Sequence, residues 1–487
     1  MDCRARAQCC GHHLDGCPPR VGRALPKTID WRPVLGFVRR HLVLLGLALV
    51  VLSSRVKAQE AGPPPASPPD AEPPRLLGLH YTLIRQHLYP FPAPYSGPNS
   101  LVSDGDDQTT QSYGFNLGWR LADTLHAFLD VEVLRGTAVS HALGFAALPN
   151  GDELRVGTVN LGEGPYVARA YVRTWIALSE GTVQANSGPD ELAVPKPVHR
   201  LEFKLCKLAA TDDFDQNRYA NSTRLQFMNW ALINNTAWDF AADTRGYSNG
   251  MVAGWVRPGL ALHLGVYQMP TFANGNTLDG DLARARGENL QLTIGADGES
   301  EQSGVLRLLA YRNLARMGIY REALAQGKPP DIAAADEPGR IKYGWALSAE
   351  QPLAHAGETG VFLRVGWNDG RTESFAYTEA DEHLSLGVQI SGVLWGRRSD
   401  IVGLGGVVEG LSPDHRAYLQ AGGVGFVLGD GRLNYGPESV WEAYYRLQLG
   451  RYLQVTPDYQ AFQNPGFNRD RGPAHVLSLR VRLAWLP

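Results

Sequence analysis

The sequence predicts an all-β fold: a transmembrane antiparallel β-barrel of about 16 strands behind an N-terminal signal peptide. Three observations predict it. Apolar and polar residues alternate through one segment after another. Beyond residue 58 no apolar run approaches the length of a spanning helix. A single export-type segment stands near the N-terminus.

Composition narrows the class. Of 487 residues, 20% are charged and 44% hydrophobic, with 54 Gly, 32 Pro and a formal net charge of −3. A disordered chain, a collagen-like fibre and a protein held to nucleic acid by bulk positive charge are thereby excluded. The charge is unevenly spread. Residues 1–58 hold ten of the 46 Lys/Arg and three of the 49 Asp/Glu, so the remainder carries −10. Cys3, Cys9, Cys10 and Cys17 lie in that head, which leaves Cys206 alone in the body and excludes a disulfide framework there.

The elements follow in chain order. Arg39 and Arg40 precede the apolar run Leu42–Leu52, and Val56 and Ala58 complete a secretory signal cleaved after Ala58. The run is too short to span a bilayer comfortably. Residues 59–75 contain seven prolines, which favour extended polyproline II and a flexible mature N-terminus. The expected organisation is therefore 1–58 as extension and signal peptide, 59–75 as a proline-rich segment and 76–487 as the barrel.

Period-two alternation then marks strands at Tyr113–Trp119, Leu125–Val133, Leu260–Val266, Val361–Trp367, Leu384–Ile390, Trp441–Leu449 and Leu477–Trp485. Successive strand side chains point to opposite faces, so each strand has one apolar and one polar face. A soluble sandwich buries the apolar face, whereas a membrane barrel turns it to lipid. The barrel is favoured because the strands reach about nine to eleven residues, the span of a tilted transmembrane strand. Arg, Glu, Gln, Asn and Tyr also run the length of the polar faces, and Trp485 closes the last strand. Trp395, Trp441 and Tyr452 fall near strand ends, as interfacial girdles do. Outer loops are expected around Val102–Thr110, Leu148–Gly164, Thr211–Asp243 and Asn274–Ser303, and Gly429-Asp-Gly431 reads as a hairpin end.

Motifs for other chemistry fail on context. Gly246-Tyr-Ser248-Asn-Gly250 matches a nucleophile elbow, but a strand and a turn follow where a helix is required. Gly423 and Gly425 lack the third glycine and the helix of a dinucleotide fingerprint. Asp104, Asp106 and Asp107 form a solvated acidic loop without a calcium-loop pattern. No histidine or cysteine spacing suits a metal, so no cofactor, metal or catalytic residue is expected. The lumen faces are more informative. Arg169, Tyr171 and Arg173 alternate with Ala168, Ala170 and Val172, and Glu132 and Arg135 end another strand. Opposed basic and acidic side chains at a constriction orient hydroxyl-rich solutes, and they equally serve to hold a barrel wall.

Several stretches together resemble the carbohydrate-selective porins of the OprB family. They are Tyr95-Ser-Gly-Pro-Asn-Ser-Leu101, Phe227-Met-Asn-Trp-Ala231, Trp238-Asp239 with Ala242-Asp-Thr-Arg-Gly246, and Trp367-Asn-Asp-Gly-Arg-Thr-Glu-Ser-Phe-Ala-Tyr377. Gly410-Leu-Ser-Pro-Asp-His-Arg416, Gly429–Glu438, Thr456-Pro-Asp-Tyr-Gln460 and Asn464–Pro473 continue the likeness toward the last strand. The resemblance covers about residues 76–485; the cysteine-bearing head and Leu486-Pro487 depart from it. It implies a Gram-negative outer-membrane porin, not an enzyme, that lets sugars diffuse passively into the periplasm. A general diffusion porin is the alternative, with an outer-membrane barrel enzyme or adhesin behind it. The implied partners are monosaccharides or small oligosaccharides and outer-membrane lipid, with a homo-oligomer open and no nucleic acid. Lumen position and motif membership single out Glu132, Arg135, Arg169, Arg173 and Arg245 as the substrate pathway. The net −10 of the mature chain disfavours anions overall, although arginines at the narrowest point reverse that locally.

Overall fold

The computed structural model describes residues 75–153, 161–185, 188–295, 303–376 and 379–485. The expected signal peptide, nearly all of the proline-rich segment and Leu486-Pro487 lie outside the described residues. Among the described residues no helix is long and apolar enough to cross a membrane.

Sixteen antiparallel strands close on themselves. They are β1 (Arg75–Leu88), β2 (Asp106–Arg120), β3 (Leu125–Arg135), β4 (Tyr166–Ala177), β5 (Arg200–Leu208), β6 (Ser248–Arg257), β7 (Leu260–Gln268) and β8 (Arg286–Ile294). The second half comprises β9 (Val305–Gly318), β10 (Asp336–Ala354), β11 (Thr359–Asn368), β12 (Glu382–Ser391), β13 (Ile401–Gly410), β14 (Glu438–Leu449), β15 (Leu453–Gln463) and β16 (Ala474–Trp485). β1 closes the barrel against β16 in a register that sets Leu79 opposite Trp485 and Leu88 opposite Val476. Closure is what a bilayer demands, because an unpaired strand edge in hydrocarbon has no water to satisfy it.

The faces are inverted relative to a soluble protein. On β16 Leu477, Leu479 and Leu483 are 46%, 44% and 47% exposed, whereas Arg480 between them is 1% exposed. The apolar faces therefore form the outer wall, as the alternation predicts. Trp395 in the β12–β13 turn donates to the Tyr445 hydroxyl at 3.1 Å, and exposed Tyr452 and Trp485 lie at the same end. These aromatics suit a membrane interface.

Connections alternate in length. Residues 121–124, 258–259, 355–358 and 450–452 are tight turns at one end, while 89–105, 136–165, 209–247 and 411–437 are long and share the other. In outer-membrane barrels the short turns are periplasmic. Two expectations about loops change here. The stretch Asn274–Ser303 is not one loop, because β8 runs through it, with Leu290, Leu292 and Ile294 alternating with Asn289, Gln291 and Thr293. Gly429 and Gly431 belong to the long 411–437 connection and end no hairpin.

The 209–247 connection gives the larger surprise. Expected as an outer loop, it folds into the barrel, where Phe214, Phe227, Met228, Leu232 and Trp238 are wholly buried. Its sequence is too apolar to stay in water, and burying a large side chain is worth about 1.5–3 kcal/mol. Inward charges of the wall fasten it. Arg364 of β11 sits 3.0 Å from Asp215 and donates to the Leu232 carbonyl at 3.0 Å. Glu442 of β14 accepts from the Met228 and Asn229 amides at 2.5 and 3.0 Å. Arg480 of β16 donates to the Gln226 carbonyl at 2.9 Å. Many lumen-facing polar residues are thus spent on holding a loop.

Candidate functional site

The inward loop meets the β1–β4 wall at a charged waist. A β-bulge prepares it. Asp130 of β3 pairs with Arg169 and Val131 with Val167, so Ala168 is an extra residue on β4. The extra residue resets the alternation. Tyr166 and Arg169, three apart and normally on opposite faces, therefore both point inward.

Glu132 is the hub of the acidic side. Its carboxylate accepts from the Tyr166 hydroxyl at 2.8 Å, the Tyr247 hydroxyl at 2.9 Å and Arg224 Nη1 at 2.8 Å. Arg224, carried by the inward loop, also reaches Asp152 at 2.8 Å. Burial works against the Arg224 charge, but Asp152 and Glu132 more than offset it and hold its pKa well above the ordinary value. Burial, reinforced by Glu132, pushes the Tyr247 hydroxyl well up, so it stays a donor. Behind Arg224, His80 Nε2 accepts at 3.3 Å. This approach requires Gly114, where a Cβ would lie 1.8 Å from that nitrogen.

The other expected residues divide. Arg169 grips Asp212 with a two-pronged contact at 2.6 and 2.7 Å and touches Asp130 at 3.3 Å, its guanidinium 5.3 Å from the Tyr247 ring centre. Arg245 lies 4.0 Å over the Tyr166 ring and donates to the Gly162 carbonyl at 2.9 Å. Arg173 is buried against Glu191 at 2.6 Å, in the 178–199 connection at the opposite end of the barrel from the long loops. Arg135 does not face the lumen. It is exposed on the outer wall, 6.0 Å from the Tyr113 ring centre. It lies three positions after Glu132 on a regular strand, so the two point to opposite faces.

The structure thus brings Glu132, Arg169 and Arg245 together, places Arg173 further along and removes Arg135. Sequence reasoning missed Tyr166, Asp152, Asp212, Arg224, Trp230 and Tyr247. Only the Phe227–Ala231 stretch carried a signal, since it includes Trp230. Around the waist are two cavities of about 110 and 230 Å³, which share Glu132, Asp152, Arg224, Trp230 and Tyr247 in their walls. Arginine and tyrosine donors, carboxylate acceptors and the half-buried Trp230 indole face the same space. Such a surface matches a hydroxyl-rich ring, with hydrogen bonds at the edges and stacking at the apolar face.

Ser248 shows no elbow. It opens β6, and its hydroxyl donates to the Gln268 carbonyl at 2.7 Å. Asp107 of the acidic stretch pairs with Arg85 at 3.4 Å and His87 at 3.2 Å.

Comparison with known proteins bears on the family and the fold. The family model described as "Carbohydrate-selective porin, OprB family" matches residues 110–484. The high-pH structure of Pseudomonas putida OprB is similar at a TM-score of 0.63 and 14% identity, covering 84% of this chain and 94% of that one, a likeness of fold. The outer membrane channel DcaP of Acinetobacter baumannii covers 84% of this chain and 97% of its own at 8% identity and a TM-score of 0.47. No curated protein sequence matches the chain.

Proposed function

Because the chain belongs to the OprB family of carbohydrate-selective porins, outer-membrane channels through which sugars diffuse, we propose that its sugars cross at the Glu132–Arg224 waist. The observation that carries this is the inward 209–247 loop, which sets Arg224, Trp230 and Tyr247 against Glu132, Tyr166 and Arg169 of the wall. A sugar entering from the long-loop end exchanges water for these donors and acceptors and stacks on Trp230. Each contact is weak enough to release it down its gradient, as flux requires. Charge pairing within the waist keeps the arginines and carboxylates oriented, so the lining is preorganised when the sugar arrives.

Of the expected pathway residues, Glu132, Arg169 and Arg245 belong to this passage and Arg173 to the wall beyond it. The apolar outer wall takes outer-membrane lipid. The protein works as a channel, with Ser248 a structural hydroxyl. The folded chain in a planar bilayer provides the test. Glucose should lower single-channel ion current reversibly, and Trp230→Ala should weaken that block several-fold, the worth of one aromatic contact. Steps indifferent to glucose would move the sugar path away from the waist.

A further inference from the structure

Residues 223–226 of the inward loop touch two sets of charges. Arg224 is neutralised by Glu132 and Asp152. Beside it, three arginines of the wall converge. Arg446 of β14 donates to the Leu225 carbonyl at 3.1 Å, and Arg480 of β16 donates to the Thr223 and Gln226 carbonyls. Arg482, two residues on, is only 9% exposed, yet its side chain makes no hydrogen bond or ion pair among the described residues, and its Nε is buried and orphaned. The Arg446 Nε is orphaned too.

The charges around Arg482 do not compensate it. Its electrostatic neighbours are Arg224, Asp152, Arg480 and Arg446, and Asp152 already belongs to Arg224. Arg446 has Glu358 and Asp400 as its acidic neighbours, but Glu358 accepts from the Ser391 hydroxyl at 2.7 Å, while Asp400 is held by Arg397 and by Tyr445 at 2.6 Å. Arg480 has Asp458 and Glu442 nearby, and Glu442 is occupied by the loop amides. A guanidinium this buried without a counter-charge is costly, and one left unpaired on the lumen face is one that a solute can complete.

We propose that the Arg482–Arg446 wall binds the carboxylate of a sugar acid, a uronate or aldonate whose hydroxyls occupy the waist. The assignment rests on the sugar-channel reading and narrows it to an anionic carbohydrate class. A neutral sugar answers the orphaned donors with hydroxyls alone. A carboxylate also supplies the missing charge, in the paired geometry that guanidinium favours. The site also gives the chain, −10 beyond its head, a local means of admitting anions.

The full chain in planar bilayers, with block of ion current read for glucuronate and for glucose, tests the proposal. Glucuronate should block at lower concentration than glucose. Arg482→Gln should reduce that preference about tenfold, the worth of one charge-assisted hydrogen bond, and Arg482→Lys should keep part of it. Arg446→Gln provides a second variant should Arg482→Gln fail to fold, and heat-modifiable mobility reports folding in each case. Equal block by both sugars would overturn the acid assignment and leave the sugar channel standing. Block by neither would overturn the sugar reading itself. Chloride preference without glucuronate preference would also overturn the proposal, since it marks a general anion path.

Discussion

Lys342 and Asp239 meet at 3.1 Å with neither side chain showing any surface. The pair ties β10 to the inward loop, and Asp239 also accepts from the Phe375 and Ala376 amides at 2.7 and 2.8 Å, which fixes a third segment. Lys342→Ala leaves that carboxylate buried without its cation. The expected loss is about 3–5 kcal/mol, measured by urea unfolding followed by tryptophan fluorescence. Lys342→Met combined with Asp239→Asn should recover part of it, because the asparagine is neutral and still offers those amides an acceptor. A double variant as unstable as the single one would show that the pair is not the fastening.

Arg224→Ala strips the waist of the cation shared by Glu132 and Asp152. The reversal potential in a potassium chloride gradient should shift toward cations, and glucose block should weaken. A shift toward anions would place the narrowest point elsewhere.

Arg135→Ala should change neither glucose block nor stability, the latter within about 0.5 kcal/mol, because the side chain is exposed on the outer wall. Arg169→Ala leaves Asp212 and Asp130 without their cation and should affect both. Equal effects of the two substitutions would contradict the facing assigned to Arg135.

Glu373, in the 369–381 connection, has its pKa pushed up to about 7 by burial, with Asp336 adding to the effect and Lys342 opposing it. An acid whose folded pKa is raised binds more protons folded than unfolded, so stability falls as pH rises. Its contribution is complete below the ordinary glutamate pKa of about 4.5 and lost as pH climbs through about 7. Thermal unfolding across that window should show the slope, and Glu373→Gln should flatten it. An unchanged slope would assign the dependence to other groups.

The barrel was legible because a strand's two faces are written locally, residue by residue. Leu477, Leu479 and Leu483 against Ser478, Arg480 and Arg482 needed no tertiary information. The waist was legible only in part. Glu132 and Arg224 are 92 residues apart, and no local pattern announces a pairing at that distance. The bulge at Ala168 shows in the sequence only as Val167 falling in the polar row of Arg169, Tyr171 and Arg173, a faint sign that Tyr166 shares a face with Arg169. Arg135 is the opposite case: it ends the strand three positions after Glu132, and that odd offset alone turns it to the outer face. The 209–247 segment carries a signal of its own, since Phe227, Trp230, Leu232 and Trp238 are poor company for bulk water.

The inward loop also bears on how the wall is assembled. Its anchors, Lys342, Arg364, Glu442 and Arg480, come from β10, β11, β14 and β16, all later in the chain than the loop itself. A cylinder sealed before the loop is seated would trap those charges facing nothing. The loop therefore acts as a mandrel, and each late strand that finds its proper register is rewarded by a contact with the thread already laid inside.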